Sequence, residues 1–237
     1  MLPFVSIVVP TRNRRPFLEQ LVRNVQRQDY PPSRMELLVA DDGDDPVEDA
    51  LHRIPELRYL RTEQRLPIGA KRNLLNREAR GDIIVHMDDD DYYPPNRVSH
   101  AVAALSGSPA LIAGASEMYI YELATQRVIR TGPFGPSHAT GNTLAYKRAY
   151  LDSYQFEDQA TAQEEPYFTE GFRVPMVQLD TRKTILCIAH SSNTVDKSIA
   201  ASREAPLKLA DLVRCKDALR FYRYQLPRKL GMASTGS

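Results

Sequence analysis

The stretch GDIIVHMDDDDYYPP, Gly81 to Pro95, runs a short apolar segment into four consecutive aspartates, two tyrosines and two prolines. Ile83, Ile84, Val85 and Met87 are the apolar, partly β-branched residues of a buried strand, and Gly81 punctuates its start. Asp88 to Asp91 therefore stand where a core strand ends, which in an open α/β sheet is the edge that binds ligands. Two bare carboxylates ~4 Å apart repel by about 4 kcal/mol at the effective dielectric of a partly buried site. Solvent relieves that repulsion in a wet loop, the ordinary fate of a run of like charge. Delivery of the run to a sheet edge favours relief by a divalent cation, because hard cations prefer oxygen ligands. Asp88 and Asp90, two apart on an extended backbone, point the same way and can share one ion.

Upstream, strands and helices alternate. Phe4 to Val9 reads as a first strand, followed by a helix with Pro16 near its first turn and Phe17, Leu18, Leu21, Val22 and Val25 at helical spacing. Met35 to Ala40 is a second strand ending in DDGDDP. A short helix near Val47 to His52, a strand at Leu57 to Arg61 and a helix from Gly69 to Ala79 lead to the strand at Ile83. Pro94 and Pro95 start another helix through Val98, Val102 and Leu105. Four such β-α units predict a mainly parallel, doubly wound sheet flanked by helices.

Past residue 108 the pattern turns to mixed α+β, with short strands in ALIAGASEMYIYEL, RVIRTG, VQLD and TILCIAH. No linker rich in Pro, Gly or Ser intervenes, so the expectation is one α/β domain. Residues 1–107 are expected to form one half, 108–200 a subdomain on the same sheet, and 201–237 a C-terminal helix and tail. The helix is expected over Ala201 to Leu226, and MASTGS as a loose tail.

Composition narrows the function. A formal charge of +1 gives no field for a general polyanion binder, so nucleic acid is an unlikely partner. Cys187 and Cys215, the only cysteines, are too few for a disulfide framework or zinc ribbon and point to a reducing compartment, hence the cytoplasm. The N-terminal apolar run lacks a basic lead and carries prolines, so it reads as a strand rather than a signal peptide. No window approaches the ~20 apolar residues that span a bilayer.

Several nucleotide chemistries are excluded. A dinucleotide site needs glycines straight after the first strand, and that turn is PTRNRR. No GxxxxGK[ST] is present, so a P-loop is absent. An EF-hand loop begun at Asp41 places His52 where a bidentate glutamate belongs. What remains is a crevice faced by Asp41, Asp42 and the aspartate run. A metal held there keeps positions open for a diphosphate, which Arg12, Arg65, Lys71 and Arg72 can neutralise or orient.

VSIVVPTRNR, VADDG, IGAKRN and MDDDDYYPP, in that order over about 90 residues, resemble the signatures of family 2 glycosyltransferases of the GT-A fold. The resemblance implies a Rossmann-like sheet, a nucleotide-diphosphate sugar donor with UDP favoured, and Mn²⁺ or Mg²⁺ at a DxD motif. It also implies inversion at the anomeric carbon. Pro10, Thr11 and Arg12 then border the nucleotide, Asp42 reads the base, and Lys71 lies near ribose or phosphate. Asp88 and Asp90 match the DxD, with Asp89 and Asp91 beside donor hydroxyls. The family's catalytic base sits in an acidic pair at a helix start; AQEEPYF matches, with Glu165 in the base position and Glu164 before it. Adjacent acids couple, which raises one pKa toward a useful value.

FGPSHATGNTLAY resembles the acceptor loop, with His138, Gly141, Asn142 and Thr143 as candidates for acceptor or sugar. His190, at the end of TILCIAH, has a structural reading and, by the resemblance, a reading as third metal ligand; imidazole suits Mn²⁺ better than Mg²⁺. The acceptor is expected to be a hydroxyl of a glycan, lipid or protein. The C-terminal helix is expected to pack on the domain, its second reading being peripheral contact with an anionic membrane. Two rival functions are a nucleotidyltransferase, which lacks its glycine- and basic-rich first loop here, and a non-catalytic module of the same fold.

Overall fold

β1 (Val5–Thr11) is buried along nearly its whole length, as a strand covered on both faces must be. It pairs in parallel with β2 (Met35–Asp41) on one side and β4 (Ile83–His86) on the other, and β3 (Leu57–Arg61) lies outside β2. The computed structural model describes residues 1–193 and 202–232. Alternation along β1 divides two cores. Val5, Ile7 and Val9 face α1 (Leu18–Gln26) and α4 (Arg97–Ser106), whereas Val8, with Leu38 and Ile84, faces α3 (Ile68–Glu78) through Leu75. On α1 the expected Leu18, Leu21, Val22 and Val25 are all buried, each worth roughly 1.5–3 kcal/mol. The short helix after β2 is α2 (Glu48–Leu51).

The second half splits between two sheets. β8 (Ala145–Lys147) runs antiparallel between β4 and β5 (Ile112–Gly114), and β9 (Val177–Gln178) closes the edge, in the order β3-β2-β1-β4-β8-β5-β9. The expectation that the whole second half shares this sheet is corrected. β6 (Met118–Glu122), β7 (Val128–Thr131), β10 (Cys187–Ala189) and β11 (Arg203–Glu204) form a second sheet, ordered β10-β6-β7-β11. Its apolar residues Tyr121, Val128 and Ile188 pack with Phe17, Phe221 and Tyr222 in a core of their own, which is why the hairpin leaves the main sheet. α5 (Glu165–Phe168) and α6 (Thr181–Thr184) are single turns.

The long C-terminal helix is likewise corrected. Ala201 lies outside the described residues, as does the tail beyond Met232. Between them stand α7 (Leu209–Leu212), α8 (Lys216–Arg220), a π-turn at Phe221–Gln225 and α9 (Leu226–Lys229). Val213 is extended, so the helix stops there, and the Cys215 Sγ accepts the Ala218 N–H to start the next. Leu209, Val213, Ala218, Phe221 and Leu226 are buried against the body, as packing required, while Arg214, Arg220 and Arg228 are exposed. Among the described residues no helix is long and apolar enough to cross a membrane.

Candidate active site

β4 delivers the aspartate run to the carboxyl edge of the sheet, and each carboxylate finds a different partner. Asp88 is the most open, its side chain 30% exposed, with Arg72 Nη2 3.5 Å away. Asp89 is buried and accepts the Thr11 hydroxyl at 2.5 Å. Asp90 accepts from Asn193 Nδ2 at 3.2 Å and faces His190 Nε2 at 3.1 Å. Asp91 accepts the Ile188 N–H of β10 at 2.8 Å and Asn142 Nδ2 at 2.9 Å, so it ties the run to the second sheet. Arg14 stands 3.8 Å from Asp89 and 3.9 Å from Asp90. Burial, then the neighbouring Asp90, pushes the Asp89 carboxyl well above the usual range.

Ligand oxygens of Asp88, Asp90 and Asp91 all lie within 4.8 Å of one another. Such a hard-oxygen set suits a divalent cation, and the imidazole of His190 adds one nitrogen. Asp91 is engaged by two N–H donors, whereas Asp88 is the most open of the three. His190 Nε2 lies 3.1 Å from Asp90 and 2.9 Å from Asn193 Nδ2, its Nδ1 lies 3.2 Å from the Ser192 nitrogen, and Phe17 packs on the ring at 4.5 Å.

A second acidic pair converges on the same crevice. Glu164 is buried and accepts Arg72 Nε at 2.6 Å. Glu165, half-buried at the start of α5, accepts the Gly141 N–H at 2.5 Å. Burial, and then the charge of Glu164, raises the Glu165 carboxyl above its ordinary value. A Cβ on Gly141 would lie 3.0 Å from both Arg72 Nη2 and Glu164 Oε1 and 3.2 Å from Glu165 Oε1, so any side chain there would push on all three groups.

Arg72 joins the two acid groups. Besides Glu164 and Asp88, its Nη1 donates to His86 Nδ1 at 2.9 Å. His86 Nε2 then donates to the Tyr146 hydroxyl at 2.7 Å, which donates to Asn76 Oδ1 at 2.6 Å. Burial, reinforced by Arg72 and Arg97, holds His86 neutral, its pKa well below the usual histidine value. Breaking a buried ion pair leaves an uncompensated charge. Arg72→Met is therefore expected to destabilise the fold by about 3 kcal/mol in denaturant melts, and Arg72→Met with Glu164→Gln to regain part of that loss. Additive effects of the two changes would show that the pair is not coupled.

The nucleotide-side candidates gather at the ends of β1 and β2. Lys71 Nζ donates to Asp42 Oδ1 at 2.5 Å and to the Thr11 carbonyl at 3.0 Å. Burial lowers the Lys71 pKa against the opposing pull of Asp42. The other Asp42 oxygen accepts the Leu66 N–H at 2.8 Å. Asp41 is enclosed by the Tyr59 hydroxyl at 2.5 Å and the Gly43 N–H at 2.8 Å, so it builds the turn. Pro10 and Arg12 are half-buried at the end of β1, and Arg12 Nε has no hydrogen-bond partner among the described residues. Arg65 is exposed in the loop between β3 and α3, apart from these contacts.

On the loop expected to meet the acceptor, Asn142 and Thr143 are buried and hold the loop itself, Asn142 through Asp91 and Thr143 through the Ala115 N–H at 3.0 Å. His138 stacks on Phe172 with ring centroids 4.3 Å apart. Residues missing from the sequence reading are Arg14, His86 and Asn193. Arg14 is turned toward the aspartates by Asn13, whose φ is 54°, and TRNRR does not say which arginine turns inward. His86 looks like a lapse in an apolar strand because its partners lie far along the chain.

A mixed, mainly parallel sheet with acids at its carboxyl edge is the GT-A arrangement. The chain matches the model of "Glycosyl transferase family 2" over residues 6–174 and belongs to that family. WcaA of Escherichia coli (strain K12), a glycosyl transferase named for colanic acid biosynthesis, is 32% identical over 102 residues, 41% of this chain and 36% of that protein. The chain thus spans about a third of that relative's length. Staphylococcus aureus TarS 1-349, solved with UDP-GlcNAc, superposes with a TM-score of 0.64 at 18% identity, covering 80% of this chain and 60% of that one. The mannosyltransferase PcManGT of Pyrobaculum calidifontis, solved with GDP-Man and Mn²⁺, gives 0.62 at 20% identity, covering 80% and 57%. Both likenesses are to the fold.

Proposed function

We propose that this chain is a metal-dependent, inverting glycosyltransferase that moves a sugar from a nucleotide diphosphate, a UDP-sugar in the first instance, to a hydroxyl of a glycan, lipid or protein acceptor. The observation that carries the reading is the convergence at Gly141. Arg72, Glu164 and Glu165 meet there, and the same Arg72 reaches Asp88 of the aspartate run. A diphosphate-holding group and a proton-accepting group thus share one crevice.

Asp88, Asp90 and His190 would hold Mn²⁺ or Mg²⁺, which when bound neutralises charge on the leaving diphosphate. Arg14, beside Asp89 and Asp90, and Arg12 supply guanidinium donors for the same phosphates. Lys71 and Asp42 border the nucleotide. Glu165 takes the proton from the acceptor hydroxyl as that oxygen bonds to the anomeric carbon, and the bond from that carbon to the diphosphate oxygen breaks on the opposite face. Gly141 N–H aims the Glu165 carboxylate, and burial together with the neighbouring Glu164, itself paired with Arg72, raises the basicity of Glu165.

The test is a panel of UDP- and GDP-sugars with Mn²⁺ or Mg²⁺, scoring release of nucleoside diphosphate. One donor is expected to be turned over at least about tenfold faster than its competitors, and chelation of the metal to stop release. Release of pyrophosphate from a sugar phosphate and a nucleoside triphosphate would reassign the site to nucleotidyl transfer.

A further inference from the structure

The loop from Gly132 to Thr143 has two ends with different surroundings. Its last turn presents the Gly141 N–H to Glu165. Its first residues line a groove on the second sheet. Two cavities there, of about 610 and 690 Å³, share Tyr119, Pro133, Phe134 and Arg182 and so are continuous. A line of rings connects this groove to the acids' side of the loop. Phe134 lies 4.8 Å from His138, and His138 lies 4.3 Å from Phe172, just after α5. Gln178, in the groove wall, donates to the carbonyls of Pro136 at 2.8 Å and His138 at 3.0 Å, fixing the loop to the sheet edge.

The lining indicates what the groove takes. Phe134 is 47% exposed, unusual for so large an apolar ring, and the Arg182 guanidinium sits 5.7 Å from the centre of the Tyr119 ring. Three acids, Glu117, Asp180 and Glu204, are matched by three arginines, Arg130, Arg182 and Arg203, with Arg130 bonded to Glu117. Balanced charge supplies no field to collect a polyanion. Planar carboxylate, guanidinium and amide groups beside exposed rings are, however, suited to hydroxyls and to the C–H faces of pyranose rings.

We infer that this groove binds a neutral oligosaccharide, the part of the acceptor chain lying beyond the sugar unit that receives the transfer. The inference rests on the reading of Glu165 as the acceptor-side base, because the loop that lines the groove runs on to Gly141, whose N–H bonds that residue. It assigns to Tyr119 and Phe134 the stacking of sugar rings, and to Arg182 the hydrogen bonding of hydroxyls.

The experiment uses the full chain, fluorescently labelled, on an array of neutral mono- to hexasaccharides with matched uronate-bearing and phosphorylated members. Neutral oligomers are expected to be retained and their monosaccharides not. Tyr119→Ala and Phe134→Ser are expected to weaken retention about tenfold with unchanged melting temperature, as for loss of an aromatic anchor. Preference for the acidic or phosphorylated members, wild-type retention in both variants, or no retained neutral oligomer overturns the inference. Calorimetry with UDP or GDP and Mn²⁺, on the same preparations, judges the donor site separately. Loss of nucleotide binding with glycan retention kept would count against the donor reading alone; the reverse would count against the groove alone.

Discussion

On the proposed function, Glu165→Gln is expected to lower transfer about a thousandfold while the protein goes on binding donor nucleotide. Glutamine keeps an oxygen for the Gly141 N–H, so the loop stays where Glu165 holds it, but it cannot accept a proton. General-base catalysis contributes roughly 10²–10⁴-fold, and a thousandfold corresponds to about 4 kcal/mol of barrier. Single-turnover transfer with calorimetric donor binding checks both halves of the expectation. In the wild type the base works only when ionised, so kcat/KM falls as pH falls through the Glu165 pKa. Because burial and Glu164 raise that pKa, the acid limb of the profile sits above the ordinary carboxylate range. Equal activity of Glu165→Gln and wild type would pass the base assignment to Glu164.

On the same reading, Asp90→Ala is expected to lower donor turnover by at least about a thousandfold. Asp90 faces His190 and Asn193 and shares its ligand oxygens' space with Asp88, so its loss takes away the central anchor for the cation. The electrostatic help such an ion gives a leaving diphosphate is worth several kcal/mol, and about 4 kcal/mol is a thousandfold. Nucleoside diphosphate release, measured across a Mn²⁺ titration, is the check. A variant restored to wild-type rate by excess metal would show weakened affinity rather than a lost ligand set. Unchanged release at low metal would mean that the aspartate run does not hold the ion.

Much of this architecture was legible because strands and helices of a doubly wound sheet repeat locally. The apolar run at Ile83 to Met87 put the aspartates at a sheet edge, and β4 ends there. The roles within the run were not legible. Four identical residues differ only in partners supplied by Thr11, Arg72, Asn142, Ile188 and His190, all distant in the chain. Arg72 was visible as a basic residue on α3, and the expectation gave it to the diphosphate; its bonds to Glu164 and His86 depend on tertiary packing. The C-terminal segment misled for a related reason: apolar spacing survives across Val213 to Cys215, where the backbone is extended, so periodicity alone ran several short turns into one helix.

The antiparallel β8, inserted between β4 and β5, has a mechanical consequence. It laces the strands of the first half, through β4, to β5 and β9 of the second in one ladder, and rotating one side against the other would tear that ladder. On the proposed function, substrate entry and product escape are therefore expected to fall to the loops at the strand ends, over a platform that stays still beneath them.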